Sequence, residues 1–277
     1  MDSNQSTEKY KVLFVSQEIT PYVNNTLKSD VCRYLAQGIQ ERNKEIRTFM
    51  PRFGIINERR NQLHEVIRLS GMNLIINDVD HQVIIKVASL SQVRMQIYFI
   101  DNVEYFKRKA YFHDEDGNFF DDNDERSLFF SRGVLETVKK LGWMPNIINC
   151  HGWMDAFIPL YVNKIYRNNP IFTNAKIVTT LYADDFKEDM SANLYEKLEF
   201  DGISKDDAQY FVSCNYISLM KNAIDNSNAV IFAEENIHPE LIDYVKEKNK
   251  PVLSYHQYDM NYLANTTDEF FADVVGY

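Results

Sequence analysis

Positive charge is in short supply in this chain. Thirty lysines and arginines stand against 40 acidic residues, a net charge of -10. Nonspecific nucleic-acid binding needs a basic surface, so no nucleic-acid partner is expected, whereas an uncharged polymer would not be repelled. Cysteine is scarce too. Cys32, Cys150 and Cys214 are odd in number and scattered, which fits buried free thiols better than a disulfide frame. Long apolar runs are missing: none approaches the roughly 18 residues of a spanning helix. The first nine residues are polar rather than basic then apolar, unlike a secretory signal. The expectation is a cytoplasmic protein with no membrane partner, in which the glycosylation-type triplets at Asn24 and Asn265 carry no weight. A Ser-His-Asp order, a paired-cysteine metal site and a Walker loop are also lacking, so neither metal nor cofactor is expected.

What is present is apolar and aromatic. Hydrophobic residues make up 45% of the 277 and aromatics 13%, enough for a substantial core. Short apolar runs predict strands at 11–15, 46–50, 82–87, 95–100, 147–150, 176–180, 229–232 and 251–254. Helical patterns fall at 30–42, 125–141, 154–167, 210–224 and 239–248. The second helix is the best signalled, with acidic residues at its start, Lys139 and Lys140 at its end, then Gly142. Strands alternating with helices of this length predict an α/β fold: a Rossmann-like, mostly parallel sheet flanked by helices on both faces. Residues 57–100 read as a β-rich, antiparallel edge extension. The division expected is a flexible 1–8, one domain over 9–255, and a loosely packed acidic tail over 256–277. Ligands of such folds lie beyond the carboxyl ends of the strands, which directs attention to the loops after Val15, Ile100, Cys150 and Thr180.

The first of those loops lies within VSQEITPYVNNTLKSDV. Strand, loop, helix and a second strand ending Met-Pro-Arg-Phe-Gly resemble the opening of the bacterial glycogen and starch synthases. The family's loop reads Glu-Val-Ala-Pro-Phe-Ala-Lys-Thr-Gly-Gly-Leu-x-Asp-Val. Glu18, Pro21, Asp30 and Val31 match it. YFIDNVEYFKR (from Tyr98), DGNFFDDNDERSLFFSRGVLE (from Asp116), LGWMPNIINCHGWMDAFIPLYV (from Leu141) and NYISLMKNAIDNSNAV (from Asn215) are similar to further family segments in the same order. The chain is identified as a member of this family over roughly 9–235. The resemblance implies a fold equivalent to the N-terminal, acceptor-side half of a GT-B glycosyltransferase, and a place in ADP-glucose-dependent α-glucan synthesis.

The departures from the family pattern matter most. Its Lys-Thr-Gly-Gly core is replaced without a gap by Asn24, Asn25, Thr26 and Leu27. Paired glycines let backbone N–H groups approach a phosphate, because no Cβ intervenes and positive φ is allowed. Asn24 and Asn25 can still turn tightly, but they bring no charge, and Lys28 lies four residues from the matching lysine position. Around His151, which matches the histidine the family places near the transferring glucose, Gly152 and Met154 replace polar residues. Thr-Ile-His-Asn has become Thr179-Thr180-Leu181-Tyr182, a tyrosine has become Phe106, and Thr-Val-Ser has become Ile231-Phe232-Ala233. The family's second domain would begin where this sequence stops. A diphosphate leaving group with about two to three negative charges needs preorganised cations or N–H donors, and no substitute for them is visible.

No residue is therefore assigned a catalytic role. The ligand-binding candidates are Glu18, Asn24, Lys28, Asp30, Asn102, Phe106, His151 and Trp153. His151, at the ligand-side rim, either hydrogen-bonds a sugar hydroxyl, or caps the next helix, or is merely half-exposed. Trp153 either stacks on a sugar or belongs to the core. Glu18 and Asp30 would order the first loop, with the helix capped at Ser29 or Asp30. His113, Asp114, Asp116, Asp121, Asp122 and Asp124 invite calcium but lack EF-hand spacing; a solvated turn with Asp124 as a helix N-cap suits them. Asp184, Asp185, Glu188 and Asp189 read as exposed loop charges. The expected function is a glycogen/starch-synthase-like domain, inactive alone, that holds an α-glucan or sugar nucleotide weakly. Its rivals are a regulatory pseudoenzyme with a protein partner, a self-associating form, and a transferase completed in trans.

Overall fold

The first strand, β1 (Lys11–Ser16), is all apolar between its ends and sits at the centre of the sheet. The computed structural model describes residues 10–23, 26–90, 92–183, 186–254 and 259–276. The expected flexible 1–8 segment, Asn24 and Asp184–Asp185 lie outside the described residues. From β1 the chain runs through α1 (Leu27–Glu41) to β2 (Glu45–Pro51), then through β3 (His64–Glu65), β4 (Met72–Ile76) and β5 (Val79–Leu90) to β6 (Met95–Asp101). Next come α2 (Val103–Phe106), α3 (Asn123–Leu141), β7 (Ile147–His151), α4 (Ile158–Lys164) and β8 (Lys176–Leu181). The remainder is α5 (Leu194–Phe200), α6 (Lys205–Ala208), α7 (Tyr216–Asp225), β9 (Ala229–Phe232), α8 (Pro239–Glu247), β10 (Val252–Ser254) and α9 (Met260–Val275).

The sheet order is β10-β9-β8-β7-β1-β2-β6-β5-β3, with β4 beside β5. All pairs from β10 to β6 are parallel, while β5 runs antiparallel to β6. The antiparallel edge thus falls within 64–101. Its β4–β5 hairpin went unforeseen because its turn is Asn77-Asp78, both with positive φ (50° and 62°), a two-residue turn whose twist suits a hairpin. Outer carbonyls of this edge are taken by α3: Arg132 Nη1 donates to Ile75 O and Lys140 Nζ to Leu69 and Ser70 O.

Helix α1 is capped one turn earlier than the sequence suggested. Thr26 Oγ1 accepts from Ser29 N, and Ser29 Oγ accepts from Thr26 N, a reciprocal box. Asp124 does not cap α3; Asp122 holds that position. Asp124 is instead buried and ion-paired with Lys197 at 2.7 Å. The three cysteines are buried and unbridged.

The acidic tail departs most from expectation. Its described part is α9, which buries Leu263, Ala264, Thr267 and Phe271. Phe271 packs on Phe14 of β1, with ring centroids 6.4 Å apart. Helix α9 crosses α1 so closely at Gly38 that a Cβ there would lie 2.4 Å from the Ala264 Cβ. Tyr10 donates its hydroxyl to the Asp268 carboxylate, and Lys44 stands 3.8 Å from the same group. Of its acidic residues Glu269 and Asp273 are exposed, whereas Asp268 turns inward to Tyr10 and Lys44.

Candidate functional site

Strand β1 leads on one side to β2 and is flanked on the other by β7. This reversal of strand order opens a crevice at the carboxyl ends. A cleft of about 340 Å³ lies there, lined among others by Gln17, Glu18, Lys28, Phe119, Trp153 and Phe186. A roomier concavity of about 680 Å³ lies at the other end of the sheet, around Lys44–Arg47 and Arg94–Gln96; strand polarity places no loop from the switch point there.

Two backbone loops meet under the cleft. Gly152, just after β7, has φ 109°, and a Cβ on it would sit 2.8 Å from Gln17 Oε1. The same Gln17 oxygen accepts from Met154 N at 3.1 Å. Only glycine permits that conformation and that approach together. Glu18 accepts from Thr26 Oγ1 at 2.6 Å and lies 3.7 Å from Lys28 Nζ. Asp30 accepts from Thr20 Oγ1 at 2.8 Å. Both carboxylates therefore tie the first loop to the start of α1. Lys28, although displaced in sequence, reaches the cleft from α1. It is 5% exposed, and its amine lies 5.4 Å from the Tyr182 ring centroid.

His151 is neither a rim donor nor a cap. It is fully buried, and both ring nitrogens are occupied. Asn149 donates Nδ2 to Val178 O and Thr180 Oγ1, so its Oδ1 is the acceptor for His151 Nε2–H at 2.6 Å. The ring then accepts at Nδ1 from the Tyr182 hydroxyl, 2.8 Å away. Burial, with Lys28 nearby, pulls the imidazole down to about 3; the ring stays neutral because desolvation penalises the cation. The same burial raises the Cys32 thiol to about 12, although Cys32 Sγ meets Ser16 Oγ at 3.0 Å. Tyr182 thus links β8 to β7. Its mark in the sequence was the loss of polar residues at the end of β8, which told of an absence and not of a replacement.

Trp153 is 3% exposed, within a cluster of Phe112, Phe119 and Phe186 whose centroids lie 4.7 to 5.8 Å from its own. It forms the floor and leaves Phe112 and Phe119 as the half-buried aromatics of the wall. Asn102 and Phe106 do not line the cleft. Asn102 caps α2 by accepting from the Glu104 and Tyr105 N–H groups. Phe106 is core beneath the Arg126 guanidinium, 5.5 Å away. Burial holds Arg126 down to about 9; it donates to Tyr105 O and Asn123 Oδ1. Near Asp116 there is a hairpin turn, with Asp114 accepting from Asp116 N and Asn118 N. Among the described residues no group of three His, Cys, Asp or Glu side chains could hold a metal, and no helix is long and apolar enough to cross a membrane. The cleft therefore offers an aromatic wall, the amines of Lys28 and Lys187, and a carboxylate rim of Glu18 and Glu188.

Known proteins share the sequence pattern and the fold. The starch synthase catalytic domain family matches residues 11–254. A glycogen synthase of Chlorobium luteolum is 33% identical over 85% of this chain and 49% of its own length. One from Pelodictyon phaeoclathratiforme is 30% identical over 95% of this chain and 54% of its own. The chain thus spans about half the length of these curated relatives. Among solved structures, the catalytic domain of Starch Synthase IV from Arabidopsis thaliana, bound to ADP and acarbose, superposes with a TM-score of 0.72. That match has 18% identity and covers 89% of this chain and 51% of the other, so it speaks for the fold. On the family match, the shared parallel sheet and the switch-point cleft, the chain belongs to the starch synthase catalytic domain family of glycosyltransferases.

Proposed function

We propose that this chain is the glucan-facing half of a glycogen/starch-synthase-type glucosyltransferase and that by itself it binds without transferring glucose. One observation carries this reading: both nitrogens of His151 are consumed inside the protein, by Tyr182 and Asn149. A histidine held neutral and fully buried can neither donate to a sugar hydroxyl nor stabilise charge in a transition state. The first loop supports the same conclusion, since it lacks the paired glycines that would bring N–H groups to a phosphate. Of the two lysines lining the cleft, Lys28 faces Glu18 and Lys187 stands beside Glu188 in the sequence, which leaves little net positive charge against a departing diphosphate. The relatives are glycogen synthases, and the structural neighbour holds ADP and acarbose. An α-glucan or a sugar nucleotide is accordingly the ligand class assigned to the cleft, and an interaction or regulatory role follows from binding without turnover.

The test is incubation of purified protein with glycogen and ADP-glucose labelled in the glucose. No incorporation above the protein-free blank is expected, and incorporation would overturn the reading. In a native gel cast with glycogen the protein is expected to be retarded, and Phe119→Ala should reduce the retardation.

A further inference from the structure

On the other flank of β1, the loops after β1, β2 and α2 enclose a second groove of about 620 Å³, within the roughly 300–1,000 Å³ usual for small-molecule sites. Its wall contains Tyr22, Tyr111, Asn57, Asn61, Arg60 and Lys109. Among the described lining residues there is no carboxylate, in a protein of net charge -10. Arg60 and Lys109 are exposed, and no described carboxylate pairs with either. Neighbouring Glu58 is already committed to Arg52 and Lys86.

The groove is held rigidly. Gly54 lies so close to the carbonyls of Lys107 and Arg108 that a Cβ there would be 2.2 and 2.4 Å from them, which clamps the loop after β2 onto the loop after α2. Tyr22 stands edge-on to Phe99 (4.9 Å, 84°) and Tyr111 edge-on to Phe53 (5.2 Å, 80°). Asn57 uses its Oδ1 on Arg60 N, and Asn61 uses its Nδ2 on Asn57 O. The other half of each amide, a donor on Asn57 and an acceptor on Asn61, stays available to hydroxyls.

The half-buried Tyr111 for a pyranose, a split amide pair for neighbouring hydroxyls and two exposed cations with no described counterion form a consistent set. We propose that this groove binds a saccharide bearing a phosphate group. The proposal is independent of the reading given to the cleft. Either a hexose phosphate or a phosphorylated α-glucan supplies that chemistry.

Calorimetry on the full chain at low salt would compare glucose 6-phosphate, phosphorylated maltodextrin, the same dextrin after phosphatase treatment, and inorganic phosphate. The phosphorylated saccharide should bind about tenfold or more tightly than its dephosphorylated counterpart. Arg60→Gln with Lys109→Gln, both exposed, should abolish that preference, and Tyr111→Ala should weaken both saccharides. Lys28→Met, in the cleft, should leave the preference for the phosphorylated saccharide unchanged, which separates the two sites. The better of the two phosphorylated ligands identifies the source. Equal affinity with and without phosphate, inorganic phosphate binding as well as the saccharide, no binding at all, or an unaltered preference in the double variant would each overturn the proposal.

Discussion

The hydroxyl of Tyr182 lies 2.8 Å from Nδ1 of His151 and fills the place a ligand hydroxyl would take on that ring. Strands β7 and β8, paired in parallel with His151 opposite Thr180, bring the two side chains together beside the switch point. The histidine is a satisfied core group, and the cleft is built above it.

Acid should expose this arrangement. His151 titrates near 3 in the folded chain against an ordinary 6.5. Between those values the unfolded chain binds a proton that the native state refuses, so stability rises with pH. The contribution is complete above the unfolded value and is lost as pH falls from 6.5 towards 3. Urea midpoints measured from about pH 7 down to about pH 4 should fall, and His151→Gln should flatten the slope. An unchanged slope would show that other groups carry the acid sensitivity.

Tyr182→Phe removes the donor to His151 and keeps the ring under Lys28. An unsatisfied buried nitrogen costs about 1–3 kcal/mol. Chemical denaturation should report a loss in that range, with far-ultraviolet dichroism unchanged.

Lys197 is buried between Asp124 at 2.7 Å and Glu125 at 2.8 Å. Burial raises the Asp124 carboxyl in spite of its partner, so desolvation outweighs attraction there. Lys197→Met strands that carboxylate and should cost about 3–5 kcal/mol, whereas Lys197→Met with Asp124→Leu should recover much of it. Equal stability of the single and double variants would refute the pairing as the cause.

Phe271 tests the status of the terminal helix. It is fully buried against Phe14, and truncation to Ala should destabilise by about 3–5 kcal/mol. A loss near zero in thermal and urea unfolding would mean that α9 is dispensable to the core.

Much of the fold was legible in the chain. The runs at 11–15, 95–100 and 229–232 are apolar at all but one position at most, and the helix ending at Gly142 shows its charge gradient and its left-handed cap, φ 61°. Periodicity of that kind is local, so it survives without tertiary information. The two-residue strand β3 and the short α5 and α6 carry too few periods to stand out. The β4–β5 hairpin depended on two non-glycine residues taking positive φ, which sequence permits without announcing.

By itself the sequence determined the alternation of strands and helices, and with it the sheet's polarity and the end where ligands can lie, because burial on both faces demands continuous apolar strands. It also fixed the loss of the glycines in the first loop. Only tertiary structure decided which polar groups face a ligand. Tyr182 and His151 are 31 residues apart, as Asp124 and Lys197 are 73 apart, and nothing local ties them. Whether a titratable side chain meets solvent or a partner is set by desolvation and pairing across the packed sheet.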